Sequence, residues 1–313
     1  MQKNKLDGVV PFNEFFFRSC YYHQLIAGLS CLGIERDAVL LNAFTLIRDD
    51  FSTENEWFLD EKKLEKAVGY RNKKCNINKR KLIRCIDKGR PVIVGVDCYY
   101  AESREDTYKK QHAPHFVLVY GYDLEHGEVN VVDHRFLNSL GYMEGVFFLD
   151  NLLYANKMFR TGILKRKKTC YILRRRKTAG GWSIRQYINE EIVRVNKEKS
   201  IKNLETLDNM LKHDLDGVKE KRDKIIQYLQ DMRAFYFTLS KTKFFLRVPE
   251  QRIKAELLVS GYSNILSVFR KVRVDNDYGY ISKKAEIISR KIDEIKENEI
   301  AVNDYFAEVC KDA

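Results

Sequence analysis

Residues 115–133 read HFVLVYGYDLEHGEVNVVD, and their reading decides the fold. His115–Tyr122 and Glu128–Asp133 are short runs rich in β-branched and aromatic residues, the composition of strands. Glu125, His126 and Gly127 supply turn chemistry between them, so the two runs are predicted to pair antiparallel. That pairing returns Asp133, the last residue of the second strand, to the side of His115, the first residue of the first.

Similar runs lie on either side: PVIVGVDC at Pro91–Cys98, GVFFL at Gly145–Leu149 and KTCYIL at Lys168–Leu173. Upstream, Leu25, Ile26, Leu29 and Leu32 recur at helical spacing between Ser19 and Gly33, which predicts a buried first helix ended by Gly33. A second helix is predicted over Asn55–Val68 and a third over Lys79–Lys88, closed by Gly89. Helices followed by neighbouring strands give an α+β domain with helices and sheet packed face to face.

The character changes at Gly180-Gly181. Amphipathic segments rich in Lys and Glu cover 184–212, 214–243, 249–273 and 281–310, with no comparable strand signal. The expected organisation is therefore an α+β domain over 1–178 and an α-helical bundle over 182–313.

Composition narrows the functional classes. With 44% hydrophobic and 12% aromatic residues and only four prolines, the chain has the makings of an ordered core. The amino terminus MQKNKLDGVVPF has no apolar stretch of signal-peptide length, and no run of about 18 apolar residues occurs anywhere. A cytoplasmic protein with no membrane partner is expected. The seven cysteines are irregularly spaced without a C-x-x-C pair, which points to reduced thiols and no metal site. The formal net charge of +12 falls mostly before Gly181, where 31 basic residues face 22 acidic ones. Zinc-finger spacing and RNA-binding signatures are missing, so no nucleic-acid partner is expected.

One cysteine has a special position. Cys20 opens the first helix, after Ser19 as a prospective N-cap, where free N–H groups and the positive helix end lower a thiol pKa and can hold an oxyanion. A thiolate nucleophile needs an imidazole, usually far off in sequence. His115, at the mouth of its strand, is the leading candidate and His112 the alternative. The base needs an orienting acceptor, and Asp133 is returned beside it by the strand pairing.

The order of the Cys20 helix, GRPVIVGVDCYY, HFVLVYGYD and VNVVD resembles the amino-terminal domain of butirosin biosynthesis protein H and its relatives, over about residues 8–175. More distantly it resembles the double-glycine peptidase domains of bacteriocin exporters. The resemblance implies a papain-like fold with Cys20 as nucleophile, His115 as base and Asp133 as orienter. It also implies that Asp97 and Tyr99 line the cleft. Exporter-type peptidases carry a glutamine shortly before the cysteine as an oxyanion donor, whereas here only Asn13 lies in that region. His23 and Gln24, one turn after Cys20, face the same cleft if the helix is regular.

The activity implied is carrier-protein-dependent amide synthesis in natural-product biosynthesis. Cys20 takes an acyl group from the phosphopantetheine arm of an acyl or peptidyl carrier protein and passes it to a small amine, with no bound cofactor. The thioester carries the activation, and no G-x-x-x-x-G-K-[ST] loop is present. With water as acceptor the same residues make a peptidase or thioesterase. Eight Lys or Arg residues in Lys165–Lys177 offer a basic rim that steers an acidic carrier. A helical interaction protein with a relic catalytic domain is the reading outside enzymology, and the complete Cys, His and Asp set speaks against it.

Overall fold

The chain divides into two units, one built on a sheet and one mainly on helices. The structure is a computed structural model, and it describes residues 3–13, 20–57, 61–134, 141–163, 165, 168–176, 190–275 and 277–312. The chain opens with β1 (Lys3–Lys5), α1 (Cys20–Cys31), α2 (Asp37–Asn42) and the hairpin β2 (Ala43–Ile47) and β3 (Thr53–Trp57). Next come α3 (Glu61–Val68), β4 (Tyr70–Cys75), α4 (Lys79–Asp87) and β5 (Val92–Asp97). Then follow β6 (Pro114–Asp123), β7 (Glu128–Asp133), β8 (Met143–Phe148), α5 (Leu149–Met158) and β9 (Cys170–Arg175). The helices α6 (Glu190–His213), α7 (Leu215–Ser240), α8 (Lys243–Leu246), α9 (Pro249–Asp275) and α10 (Tyr278–Asp312) complete it.

The first unit comprises residues 1–36 and 61–182. Its sheet runs β4-β9-β5-β6-β7-β8, with β1 added to β6, and every pairing is antiparallel. β5 is buried along its whole length because strands flank it on both edges and helices cover both faces. Leu82, Cys85 and Ile86 of α4 and Leu149, Leu152 and Ala155 of α5 pack with the inward valines of β5, β6 and β7. Asn78 caps α4 by accepting the Lys81 N–H at 2.9 Å, and Gly89, at φ +64°, lets the chain turn back. α1 lies on the opposite face, and it approaches closely because Gly28 has no side chain. A Cβ there would stand 2.4 Å from Leu173 Cδ1 and 3.2 Å from Leu118 Cδ1.

The second unit takes residues 37–60 as well as 183–313, where the sequence assigns all of 1–178 to the first domain. Side-chain hydrogen bonds fasten the extra segment. The Ile47 N–H donates to Asn196 Oδ1 at 3.0 Å, Asn203 Nδ2 donates to the Arg48 carbonyl at 2.9 Å, and Thr53 donates to Asp231. The helix expected over Asn55–Val68 is therefore two elements, a strand to Trp57 and a helix from Glu61, because the first part pairs with β2 in a hairpin. The four long helices expected by periodicity appear as α6, α7, α9 and α10 with ends shifted by a few residues. Ser19, 184–189 and the expected boundary at Thr178–Gly181 lie outside the described residues. Among the described residues no helix is long and apolar enough to cross a membrane.

The helical core of this unit is not wholly apolar. Ser200, Tyr228, Tyr236, Tyr262, Glu299 and Asn303 come from four helices and are all buried. Tyr262 donates to Glu299, Asn303 Nδ2 donates to Tyr236 at 2.9 Å, and the Ser200 and Tyr228 hydroxyls meet at 2.8 Å. Burial pushes the Glu299 carboxyl up to about 7, against the pull of the hydroxyls around it. Because the folded pKa is raised, this contribution to stability is fully present below the unfolded value near 4.3 and is lost as pH rises through about 7. Glu299→Gln, which mimics the neutral acid, should raise stability at pH 8 by on the order of 3 kcal/mol and leave it nearly unchanged at pH 4. Urea unfolding monitored by helical circular dichroism at the two pH values measures the difference.

Candidate active site

Three elements of the first unit bring Cys20, His115 and Asp133 together. Cys20 is the first residue of α1, so its thiol stands at the end of the helix where backbone N–H groups lack intrahelical partners. His115 is the second residue of β6, opposite Val96 of β5. Asp133 is the last residue of β7, and the β6–β7 register, Leu118 opposite Val132, carries it alongside the start of β6. His115 Nε2 and Asp133 Oδ1 are 2.6 Å apart, which leaves Nδ1 for the thiol, and Cys20 is hydrogen-bonded to the imidazole. The Phe116 N–H also bonds to the Cys20 sulfur. His115 and Asp133 are buried, whereas Cys20 is half-buried and therefore within reach of a substrate.

Asp133 accepts more than the histidine. Ser103 Oγ donates to its Oδ2 at 2.6 Å and the His134 N–H donates to Oδ1 at 2.7 Å. Burial would push this carboxyl up, but the His115 charge and these donors hold it below the usual range. For His115, burial favours the neutral ring, and the Asp133 charge and hydrogen bond outweigh it, raising its pKa to about 9. Burial likewise pushes the Cys20 thiol up, and the His115 hydrogen bond and charge bring it below its ordinary value. The arrangement thus favours a thiolate–imidazolium pair. Cys31 and Cys98 are pushed the other way by burial, to about 11.

An aromatic shell encloses the pair. The His134 ring stands edge-on to His115 at 4.7 Å and packs on Tyr142 at 4.5 Å. Tyr142 in turn stacks on His23 at 4.5 Å and 16°. Asn13, which lies in the region of the exporter-type glutamine, is hydrogen-bonded to the backbone of Tyr142. Its Nδ2 donates to the Tyr142 carbonyl at 3.0 Å and its Oδ1 accepts the Tyr142 N–H at 2.8 Å. It pins the segment that carries Tyr142. His23 and Gln24 are both buried. The Gln24 amide has no hydrogen-bond partner among the described residues, an uncompensated polar group one turn from Cys20.

Asp97 and Tyr99 form a second group at the end of β5. Asp97 Oδ1 accepts the Tyr99 N–H at 3.1 Å, and its Oδ2 lies 2.7 Å from His112 Nδ1. The Tyr99 ring stacks on His112 at 4.4 Å and 11°. These two residues hold His112, so each histidine has its own aspartate and His112 does not share Asp133. Sequence reasoning missed Ser103, His134, Tyr142 and Arg104. The Arg104 side chain is fully buried, with Nη1 3.3 Å from His134 Nε2. His134 follows Asp133 directly, but nothing in its spacing marks its backbone as a donor. His115, Asp133 and His134 could together gather around a metal ion. In the structure His115 Nε2 is engaged by Asp133, and His134 Nε2 faces the Arg104 guanidinium.

The segment from α3 through Asp133 and His134 also has a match among known families. Residues 61–134 match the family model for butirosin biosynthesis protein H, N-terminal. The resemblance read from the sequence is borne out over this segment, which contains His115 and Asp133 but not Cys20. No match is found among curated proteins.

The electrostatics give a direct test. At pH 7 iodoacetamide should label Cys20 at least about tenfold faster than Cys31 or Cys98, because only the thiolate reacts. His115→Ala should remove that advantage and move the Cys20 labelling profile toward the ordinary thiol value near 8.5. Peptide mass spectrometry after timed quenching checks both.

Proposed function

We propose that the chain is a cysteine acyltransferase of papain-like design, forming amides in natural-product biosynthesis. The observation that carries this reading is the contact of Cys20 with His115 and of His115 with Asp133, at the start of a helix. The match of residues 61–134 to a family named for butirosin biosynthesis supports the biosynthetic setting.

In this mechanism the Cys20 thiolate attacks the carbonyl carbon of a thioester on the phosphopantetheine arm of an acyl or peptidyl carrier protein. Free N–H groups at the start of α1 stabilise the oxyanion. The carbon–sulfur bond to the arm breaks, and the departing thiolate takes the proton from the His115 imidazolium. The resulting acyl-Cys20 is attacked by a small amine, and neutral His115 takes the amine proton. Collapse releases the amide and returns the Cys20 thiolate beside an imidazolium. Asp133 keeps the ring oriented and stabilises its charge in both half-reactions. The protein needs no bound cofactor of its own in this scheme and works in the cytoplasm.

Incubation with an acylated carrier protein should yield a wild-type enzyme heavier by the acyl mass on Cys20, discharged faster by a primary amine than by water. Cys20→Ala should give no adduct and on the order of a thousandfold less turnover. Loading needs the imidazolium proton, so it should fall as pH rises above about 9. Intact-protein mass spectrometry reads both steps. Discharge by water alone, with no amide formed, would make the protein a thioesterase or peptidase instead.

A further inference from the structure

The other end of the first unit carries a second constructed feature. Three hollows of about 460, 460 and 650 Å³ open around the β4 edge of the sheet, reaching α4, the α4–β5 turn and α3. Six residues line more than one of them: Arg71, Lys73, Lys88, Arg90, Arg174 and Arg176. Arg174 lines all three. Every shared residue is cationic, so the walls between the adjoining hollows are positive, and they are treated together as one trough. Among the described residues Glu65 is the one acidic residue in its lining, and its carboxylate accepts the Asn72 N–H. Among the described residues none of the six shared cations has an acidic partner.

A simpler reading is that charges on an edge strand keep it from pairing with other chains. That accounts for Arg71 and Lys73 on β4. It does not account for Arg174, on a strand with neighbours on both sides, or for Lys88 and Arg90 at the α4–β5 connection. Converging unneutralised cations repel one another, and an anion seated among them removes that penalty.

The lining also specifies the ligand. Arginine dominates the shared positions, and its planar fork matches phosphate oxygens in pairs. The volumes fall in the range of small-ligand pockets. Among the described residues no aromatic one lines the trough, which gives bases nothing to stack on there. Among the described residues, apolar lining is confined to Leu32, Cys85 and Ile172, which gives a protein partner little to anchor on. We infer that this trough binds a ligand carrying several phosphate groups in series, centred on Arg174. Leu32, which lines it, follows the last residue of α1 while Cys20 is the first, a separation of about 18 Å along the helix. The site is separate from the thiol and stands whether or not Cys20 transfers acyl groups.

Calorimetric titration of the full chain with inorganic tripolyphosphate and with a short DNA duplex, at low salt, tests the inference. Arg174→Glu should weaken binding at least tenfold, and Arg174→Gln should weaken it too, with melting curves showing both variants folded. Lys283→Glu, the same charge change on an exposed residue of α10, should alter it less than twofold. Tighter binding of tripolyphosphate identifies a small phosphorylated ligand, and tighter binding of the duplex identifies a nucleic-acid backbone. The inference is overturned if neither probe binds at millimolar concentration or if Lys283→Glu weakens binding as much as Arg174→Glu. It is equally overturned if only an acidic carrier protein binds in an Arg174-dependent way, which would make the trough a protein-docking face.

Discussion

The 2.6 Å hydrogen bond between His115 Nε2 and Asp133 Oδ1 is the interaction on which the site depends. Both partners are buried, and a lone charge in either place would be driven to neutrality. Together they stay charged, because Asp133 also receives the Ser103 hydroxyl and the His134 N–H. The imidazolium that results brings Cys20 toward its thiolate form. The unpaired case occurs in the helical unit, where Glu299 has only hydroxyl partners and is pushed toward neutrality. One rule, burial weighed against an ionic partner, produces a charged pair in one unit and a carboxylic acid in the other.

The sheet supplies the precision that such a pair needs. β5, β6 and β7 are consecutive antiparallel neighbours, so the ends that carry Asp97, His115 and Asp133 are fixed by backbone register and not by loops. Gly28 lets α1 settle onto β6 and delivers Cys20 to the same end. Gly95 does similar work on β5, where a Cβ would meet Phe159 Cε1 at 2.5 Å. Asn13 fixes the backbone of Tyr142, whose ring packs between His23 and His134.

Much of this is legible in the sequence, for identifiable reasons. The strand pair 115–133 declares itself by composition and turn, and the pairing alone predicts that Asp133 returns to His115. The long helices follow from their periodicity. What escapes depends on tertiary choices. Asn55–Trp57 reads as the start of a helix that runs on to Val68, but its backbone finds partners in Ala43–Thr45. Ser103 and the His134 N–H are invisible in sequence because neither spacing nor residue type announces a donor to a distant carboxylate. Asn13 braces Tyr142 through two hydrogen bonds that span 129 residues, a pairing that local spacing does not reveal.

The protonation state of His115 in the resting protein tests the account most directly. Nitrogen-detected NMR of the labelled chain at pH 7.5, with His115→Gln to assign the signals, reads both ring nitrogens. The account predicts an imidazolium with both nitrogens protonated, losing its proton only near pH 9. A neutral ring at pH 7.5, with one nitrogen bare, would contradict it: Asp133 would then not be holding the charge that activates Cys20.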